Sequence, residues 1–406
     1  MTSLGYEYPG GETFGLLLRI LRKFIIILLS SASTICHCQS TVLKNVNVID
    51  VIQDTINWNC SIEIRDGIIH KIHKTEYIPN SKDYVLDLRD KYAIPGLIDS
   101  HTHIERSAYC QNPDRNDLLA LLRHALLGGV TTIREMYSDA RVVGELSRAA
   151  KLNLIASPDI FYASLFAGSK FFVDPSSDAM VLGVAKGQAS WLHIINENSD
   201  IPNLVAQAKG NGSSAIKLYA FLCGEEIRAI TREAHNQNLA VWAHAYTQFS
   251  KPSELIESGV DGLSHAVSLL YEFNDMPKDS KPAANDKSLS DLFVEMKTHN
   301  ISFDPTIFSY VNVERARRWS GIAKSITQKA YDAGVLIIAG TDSISAYQDE
   351  ILPFLHMEME YYSRDCGFSN MDALKTATIN AALSLKIDNI TGSIEEQKKS
   401  KPGNIR

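Results

Sequence analysis

Pro95-Gly96-Leu97-Ile98-Asp99-Ser100-His101-Thr102-His103 is the stretch on which the fold turns. An apolar run passes directly into two histidines spaced i, i+2. Side chains two apart on a strand share a face, so in an extended segment both imidazoles can chelate one cation. Alone the pair is weak, because two polar residues in a loop read the same way. Downstream, similar short apolar runs recur at Val130–Arg134, Ile160–Ala163, Ala215–Tyr219, Ala240–Ala243, Asp261–Ser264, Ile301–Asp304 and Val335–Ala339. With Ala93–Ile98 they make eight. Amphipathic helical patterns lie between them, among them Asn116–Leu127, Glu225–Asn236 and Ser253–Ser258. Gly129, Asn238, Gly259 and Gly334 stand at helix ends, where a left-handed residue closes the last turn. Eight strand-then-helix units over residues 93–385 describe an α/β fold, a (β/α)8 TIM barrel, although a doubly wound sheet shares the repetition.

The ends of the runs separate the two folds. Run five ends in Trp242-Ala243-His244, run six in Leu263-Ser264-His265 and run eight in Ala339-Gly340-Thr341-Asp342, while run four carries Lys217. In a (β/α)8 barrel all strand C-termini converge on one mouth, where active sites sit. Any one late-strand histidine is most often a hydrogen-bonded core residue. Five strands supplying His101, His103, Lys217, His244, His265 and Asp342 are not explained by packing. Imidazole and carboxylate are ordinary ligands for zinc, manganese, cobalt or iron.

These motifs resemble the metal-dependent amidohydrolase superfamily, in particular the branch holding imidazolonepropionase and the prolidase-like dipeptidases. The resemblance is carried by Pro95 to His103, Gly129-Val130-Thr131-Thr132-Ile133-Arg134-Glu135, Ile216-Lys217-Leu218-Tyr219-Ala220, Val241 to Tyr246, Gly259 to His265, Ala339 to Ser343 and the helix near Thr376 to Ala382. It spans residues 41–396. It implies that His101, His103 and Asp342 hold a first metal and His244 and His265 a second. Lys217, carbamylated by CO2, would bridge them. Two zinc ions per chain are implied, with manganese, cobalt or iron as alternatives. A metal-activated hydroxide would attack a polarised carbonyl, with Asp342 as general base and then acid. The expected reaction is cleavage of a C–N amide bond in a dipeptide-like or N-acyl amino acid substrate. A mononuclear deaminase or cyclic-amide hydrolase is the alternative enzyme, and an inactive relative acting as a binding protein is the alternative of another class. Strand six departs from the pattern, since Ser264 and Ala266 flank His265 where relatives usually carry an acidic residue and a glycine.

Other residues carry less. Tyr219, Tyr246 and Asp304 are candidate substrate contacts, Asp304 for a ligand amine, and Arg134 is a similar case. His193 reads as a surface residue and His356 as an outer-helix residue. The stretch Lys278 to Lys287, rich in Pro, Asp, Ser and Asn, reads as a mobile loop over the mouth.

Composition bounds the rest. The chain has 406 residues, 45% hydrophobic and 21% charged, which excludes disorder, collagen and coiled coil. A net charge of −7 argues against nucleic acid as the main partner, and the resemblance implies a small-molecule substrate with an amide bond. Homo-oligomer formation is left open. Arg19, Arg22 and Lys23 before the apolar Phe24 to Leu29, then small residues to Cys36-His37-Cys38, make residues 1–40 a signal peptide or an N-terminal anchor. Export to the periplasm or exterior, or membrane anchoring, is expected over a cytoplasmic location. Residues 41–92 read as the N-terminal part of a small β-sandwich, with an Asp66-Gly67 hairpin turn. Residues 386–406 read as a shortened tail without a strand pattern. The small domain is therefore expected to be incomplete and to expose an edge.

Overall fold

The computed structural model describes residues 40–107, 110–111, 114–173, 183–273, 286–344 and 352–400. The leader or anchor expected at residues 1–40 lies outside them except for Ser40, as do residues 278–285 of the expected loop over the mouth. Among the described residues no helix is long and apolar enough to cross a membrane.

Strands β1 (Thr41–Asp50), β2 (Thr55–Arg65), β3 (Ile68–His73), β4 (Tyr84–Asp87) and β5 (Tyr92–Ala93) form one five-stranded sheet. Their order is β3-β2-β1-β4, with β5 also paired to β1. Asp66 and Gly67 join β2 to β3 with φ of 51° and 72°. Two left-handed residues give the turn twist that matches antiparallel strands. The inner face carries Val46, Val48, Cys60, Ile62 and Ile69, with Ile394 packed against it. This is one layer of the expected sandwich.

The expectation of an exposed sheet edge is corrected at β3. Ile69 donates its N–H to the Lys398 carbonyl at 2.9 Å, Gln397 donates to Ile69 at 2.7 Å and Ser400 donates to Gly67 at 2.7 Å. The tail thus covers the free edge of β3. Charge supports it: Lys71 pairs with Glu396 at 3.2 Å and Lys399 with Asp159 at 3.2 Å. The tail lacks apolar alternation because it lies at the outside of the sheet and contributes backbone rather than side chains.

The larger domain starts with β6 (Leu97–Thr102), β7 (Val130–Glu135), β8 (Asp159–Gly168), β9 (Leu192–Ile195) and β10 (Ala215–Leu218). It continues with β11 (Ala240–His244), β12 (Gly262–Ser264), β13 (Ser302–Asp304) and β14 (Leu336–Ile337). They form a parallel sheet in the order β14-β13-β12-β11-β10-β8-β7-β6. β9 pairs with Leu165–Gly168, beyond the part of β8 that β7 covers. The sheet closes on itself through backbone bonds from Ser100 N–H to Ala339 (2.8 Å), Asp342 N–H to His101 (2.9 Å) and His103 N–H to Ser343 (3.1 Å). That closure makes a barrel rather than an open doubly wound sheet.

Outside lie helices such as α1 (Arg115–Leu127), α2 (Ala140–Lys151), α3 (Ile201–Gly210) and α4 (Gly224–Asn236). The Asp114 carboxylate caps α1 by accepting from the N–H groups of Asn116 and Asp117. Gly129 leaves α1 at φ 88°, a conformation that costs glycine least. Leu121, Leu122, Ile133 and Leu146 join one continuous core between helices and strands.

Two histidines differ from expectation or refine it. His193 is buried on β9, not at the surface. Its Nε2–H donates to the Ser190 carbonyl at 3.1 Å, and its ring meets Phe166 edge-on at 4.8 Å. His356 does lie on an outer helix, α5 (Phe354–Asp365), and bonds the Gly128 carbonyl at 2.7 Å.

Candidate metal centre

The ends of β6, β10, β11 and β12 and the loop after β14 bring the six predicted ligands to one mouth. The ring centroids of His101 lie 5.2 Å from His103 and 5.0 Å from His265, and His244 lies 4.1 Å from His265. Asp342 Oδ1 is 3.4 Å from His101 Nε2 and 3.1 Å from His103 Nε2. Ligand atoms of His101, His265 and Asp342 all lie within 4.8 Å of one another. Lys217, only 2% exposed, reaches this group from β10, and its Nζ donates to Ser264 Oγ at 3.4 Å. The serine that departs from the family pattern therefore faces the predicted bridging lysine.

Backbone strain marks the same residues. Asp342 sits at φ 55° and His265 at φ 76°. Left-handed backbone at non-glycine residues costs on the order of 1–3 kcal/mol each and persists where the surroundings enforce it. For His265 the enforcing contact is Thr306, itself at φ 54°, whose Oγ1 lies 3.0 Å from His265 Nδ1.

Electrostatics prepare these groups as ligands. Burial holds the His101 and His244 imidazoles well below their ordinary pKa and pushes His265 down to about 3, so all three are neutral with a lone pair to offer. Burial also brings the Lys217 amine down to about 7. For Asp342 burial opposes ionisation, but the His103 hydrogen bond and the neighbouring histidines hold the carboxyl well below the usual range.

The donor set fits divalent metal. His265 Nε2 is buried without a hydrogen-bond partner, while its Nδ1 is engaged by Thr306. A buried lone pair left unmatched is costly unless something coordinates it. The 3.4 Å between His101 Nε2 and Asp342 Oδ1 is also the spacing expected of ligands about 2.1 Å from one tetrahedral ion.

The substrate candidates separate. Tyr219 is half-buried, its ring edge-on to His244 at 4.6 Å. It belongs to an aromatic wall with Phe171 at 5.0 Å and Tyr137 at 6.3 Å. Tyr137 and Phe171 carry no motif, and only the folded chain brings them to Tyr219. Tyr246 stacks on Tyr271 with centroids 3.9 Å apart. Asp304 is placed differently from the amine contact first considered. It is 0% exposed, and Oδ2 lies 2.5 Å from His101 Nδ1, beneath the ligands. Arg134 is likewise buried, with its guanidinium over the Trp242 ring at 4.6 Å. Asp99 and Glu135 act as braces. Asp99 accepts from the Thr341 hydroxyl at 2.8 Å, and Glu135 from the Ile104 N–H and the Thr102 hydroxyl, each at 2.9 Å. Both stand inside the quoted motifs, but nothing in a motif distinguishes a brace from a ligand.

Residues 92–400 match the amidohydrolase family. The chain belongs to that family. This amidohydrolase is accordingly a metal-dependent hydrolase acting on carbon–nitrogen bonds, from a family that generally uses divalent metals. Among solved structures it resembles a Xaa-Pro dipeptidase with bound methionine, with TM-score 0.69 and 22% identity over 89% of this chain and 92% of that one. It also resembles the ochratoxinase of A. niger, with TM-score 0.67 and 20% identity over 89% and 88%. A molinate hydrolase aligns with TM-score 0.67 and 16% identity over 89% of this chain and 88% of that one. Among curated proteins, the dihydroorotase of Methanosphaera stadtmanae is 36% identical over 97 residues, 23% of this chain. That match spans only 20% of the dihydroorotase.

Proposed function

We propose that this amidohydrolase cleaves the amide bond of a dipeptide-like or N-acyl amino acid substrate at a two-metal centre. His101, His103 and Asp342 would hold one ion and His244 and His265 the other, with carbamylated Lys217 between them. The convergence of three neutral histidines, a neutralisable lysine and an ionised carboxylate on one barrel mouth carries this reading. Zinc is the first choice for a nitrogen-rich donor set of this kind.

Bound divalent metal supplies a water whose pKa falls to about 7 and polarises the substrate carbonyl. The chain supplies the rest. The Lys217 amine, when neutral, can add to the carbon of CO2 and release one proton. Asp342 Oδ2 is oriented by the Ser309 hydroxyl at 3.0 Å, which leaves Oδ1 toward His103. This carboxylate is placed to take the proton of the attacking water and return it to the leaving nitrogen. The wall of Tyr137, Phe171 and Tyr219 supports an apolar substrate group beside His244, where it also limits water.

A mononuclear reading has one observation in its favour, because the tightest group contains only His101, His265 and Asp342. Metal analysis of the purified full chain decides between them. About two ions per chain, falling in Lys217→Met, is the expected result. One ion, unchanged in that variant, rejects the two-metal centre. A screen of dipeptides and N-acyl amino acids then tests the substrate class, and no turnover on any of them rejects it.

A further inference from the structure

His101 is the candidate ligand with the most complete set of neighbours behind it. Its Nδ1 faces Asp304 Oδ2 at 2.5 Å, at the end of β13. Its Nε2 faces Asp342 on the opposite side. Behind the carboxylate stands Arg134 from β7, with Nη2 3.8 Å from Asp304 Oδ2. Arg134 is itself fixed from three sides. Its Nε donates to the Ser100 carbonyl, Nη1 to Ser384 Oγ at 3.3 Å, and its plane lies over Trp242. Guanidinium, carboxylate and imidazole therefore stack in that order from the barrel interior toward the mouth, and all three are at most 1% exposed.

The space is made for this contact. A Cβ on Gly340 would stand 2.5 Å from Asp304 Oδ1 and 2.6 Å from His101 Cβ. Only a residue without a side chain lets the carboxylate and the imidazole meet there.

We propose that Asp304 is a positioning residue: by accepting the Nδ1 proton of His101 it fixes the ring so that Nε2 presents its lone pair to the metal, with Arg134 holding the carboxylate in place from behind. An imidazole whose other nitrogen donates to a carboxylate is a better ligand in a fixed orientation, and loss of such a partner typically costs roughly 10- to 100-fold in metal affinity. This assignment rests on the metal centre proposed above and replaces the reading of Asp304 as a substrate contact.

The test is a Zn2+ titration of the metal-stripped full chain against a competing chelator, for the wild type and Asp304→Asn. The expected result is a loss of about 10- to 100-fold in affinity, with the thermal midpoint of the metal-free variant retained. Equal affinity in the folded variant overturns the role. A second measurement needs no variant at position 304. In metal-free wild-type protein with 15N-labelled histidine rings, the His101 signal, assigned through its loss in His101→Gln, should report a proton on Nδ1. A proton on Nε2 overturns the proposal, and this readout decides the case if Asp304→Asn does not fold. A wild-type chain that takes up no Zn2+ overturns the metal centre itself, an outcome distinct from equal binding by both proteins.

Discussion

His101 and His193 share a side chain and differ in their neighbours. His101 has Asp304 on one nitrogen and Asp342 on the other. His193 has one backbone carbonyl and the edge of Phe166. Burial pushes the His193 imidazole down to about 4. Its unfolded value is near 6.5, so the unfolded chain takes up the proton first as pH falls. Stability from this residue is complete above pH 6.5 and is lost between 6.5 and about 4. The loss is on the order of 3 kcal/mol, at about 1.4 kcal/mol per unit. Urea melts at a series of pH values should show that the slope below pH 6.5 is smaller in His193→Gln. An equal slope in both proteins would reject the assignment. The contrast also shows what one residue reveals in a sequence. His101 is legible because it follows an apolar run and precedes a second histidine. The burial of His193 is not, because Ser190-Trp191-Leu192 gives no sign that β9 lies against β8.

At the scale of elements, the barrel strands were legible because short apolar runs alternate with helical patterns, and four of the eight runs follow a helix-ending glycine or asparagine. Their C-terminal ends were legible because polar side chains interrupt the runs at the mouth. The tail was not, since a strip held mainly by backbone hydrogen bonds needs no periodic side chains. Three such bonds join Gln397–Ser400 to the β3 hairpin. At about 1 kcal/mol each, ending the chain at Glu395 should cost about 3 kcal/mol. It should also bare the β3 edge to other chains. Melting temperature and light scattering measure the two effects, and an unchanged, monodisperse protein would show that the tail is dispensable. Gly340 gives a second expectation. Gly340→Ala places a methyl group against Asp304 and His101. It should lower Zn2+ retention in the purified chain, and full retention would mean that the neighbours can move aside.

For the whole molecule, the proposed ligands, drawn from β6, β10, β11, β12 and the segment after β14, would link metal uptake to global stability. At a free ion concentration 100 times Kd, binding only the folded chain adds about 2.7 kcal/mol. Chelation should therefore lower the thermal midpoint, and added Zn2+ should restore it. A midpoint indifferent to both would separate the site from the fold. The aromatic wall escaped sequence reading at this scale for a physical reason. Tyr137 and Phe171 follow β7 and β8, and only curvature of the closed sheet places them beside Tyr219.

The backbone seam between Ser100–His103 and Ala339–Ser343 carries a consequence for synthesis. His101 leaves the ribosome more than 200 residues before Asp342. A nascent chain can build its early strand–helix units, yet it cannot bring these two side chains together until the final strand has emerged. Long-range closure of this kind is slow relative to local folding. At the proposed centre, full metal capture would thereby be deferred to the last stage of maturation, and a chain released before residue 342 would keep most of its barrel sequence but lack the carboxylate proposed to complete the site.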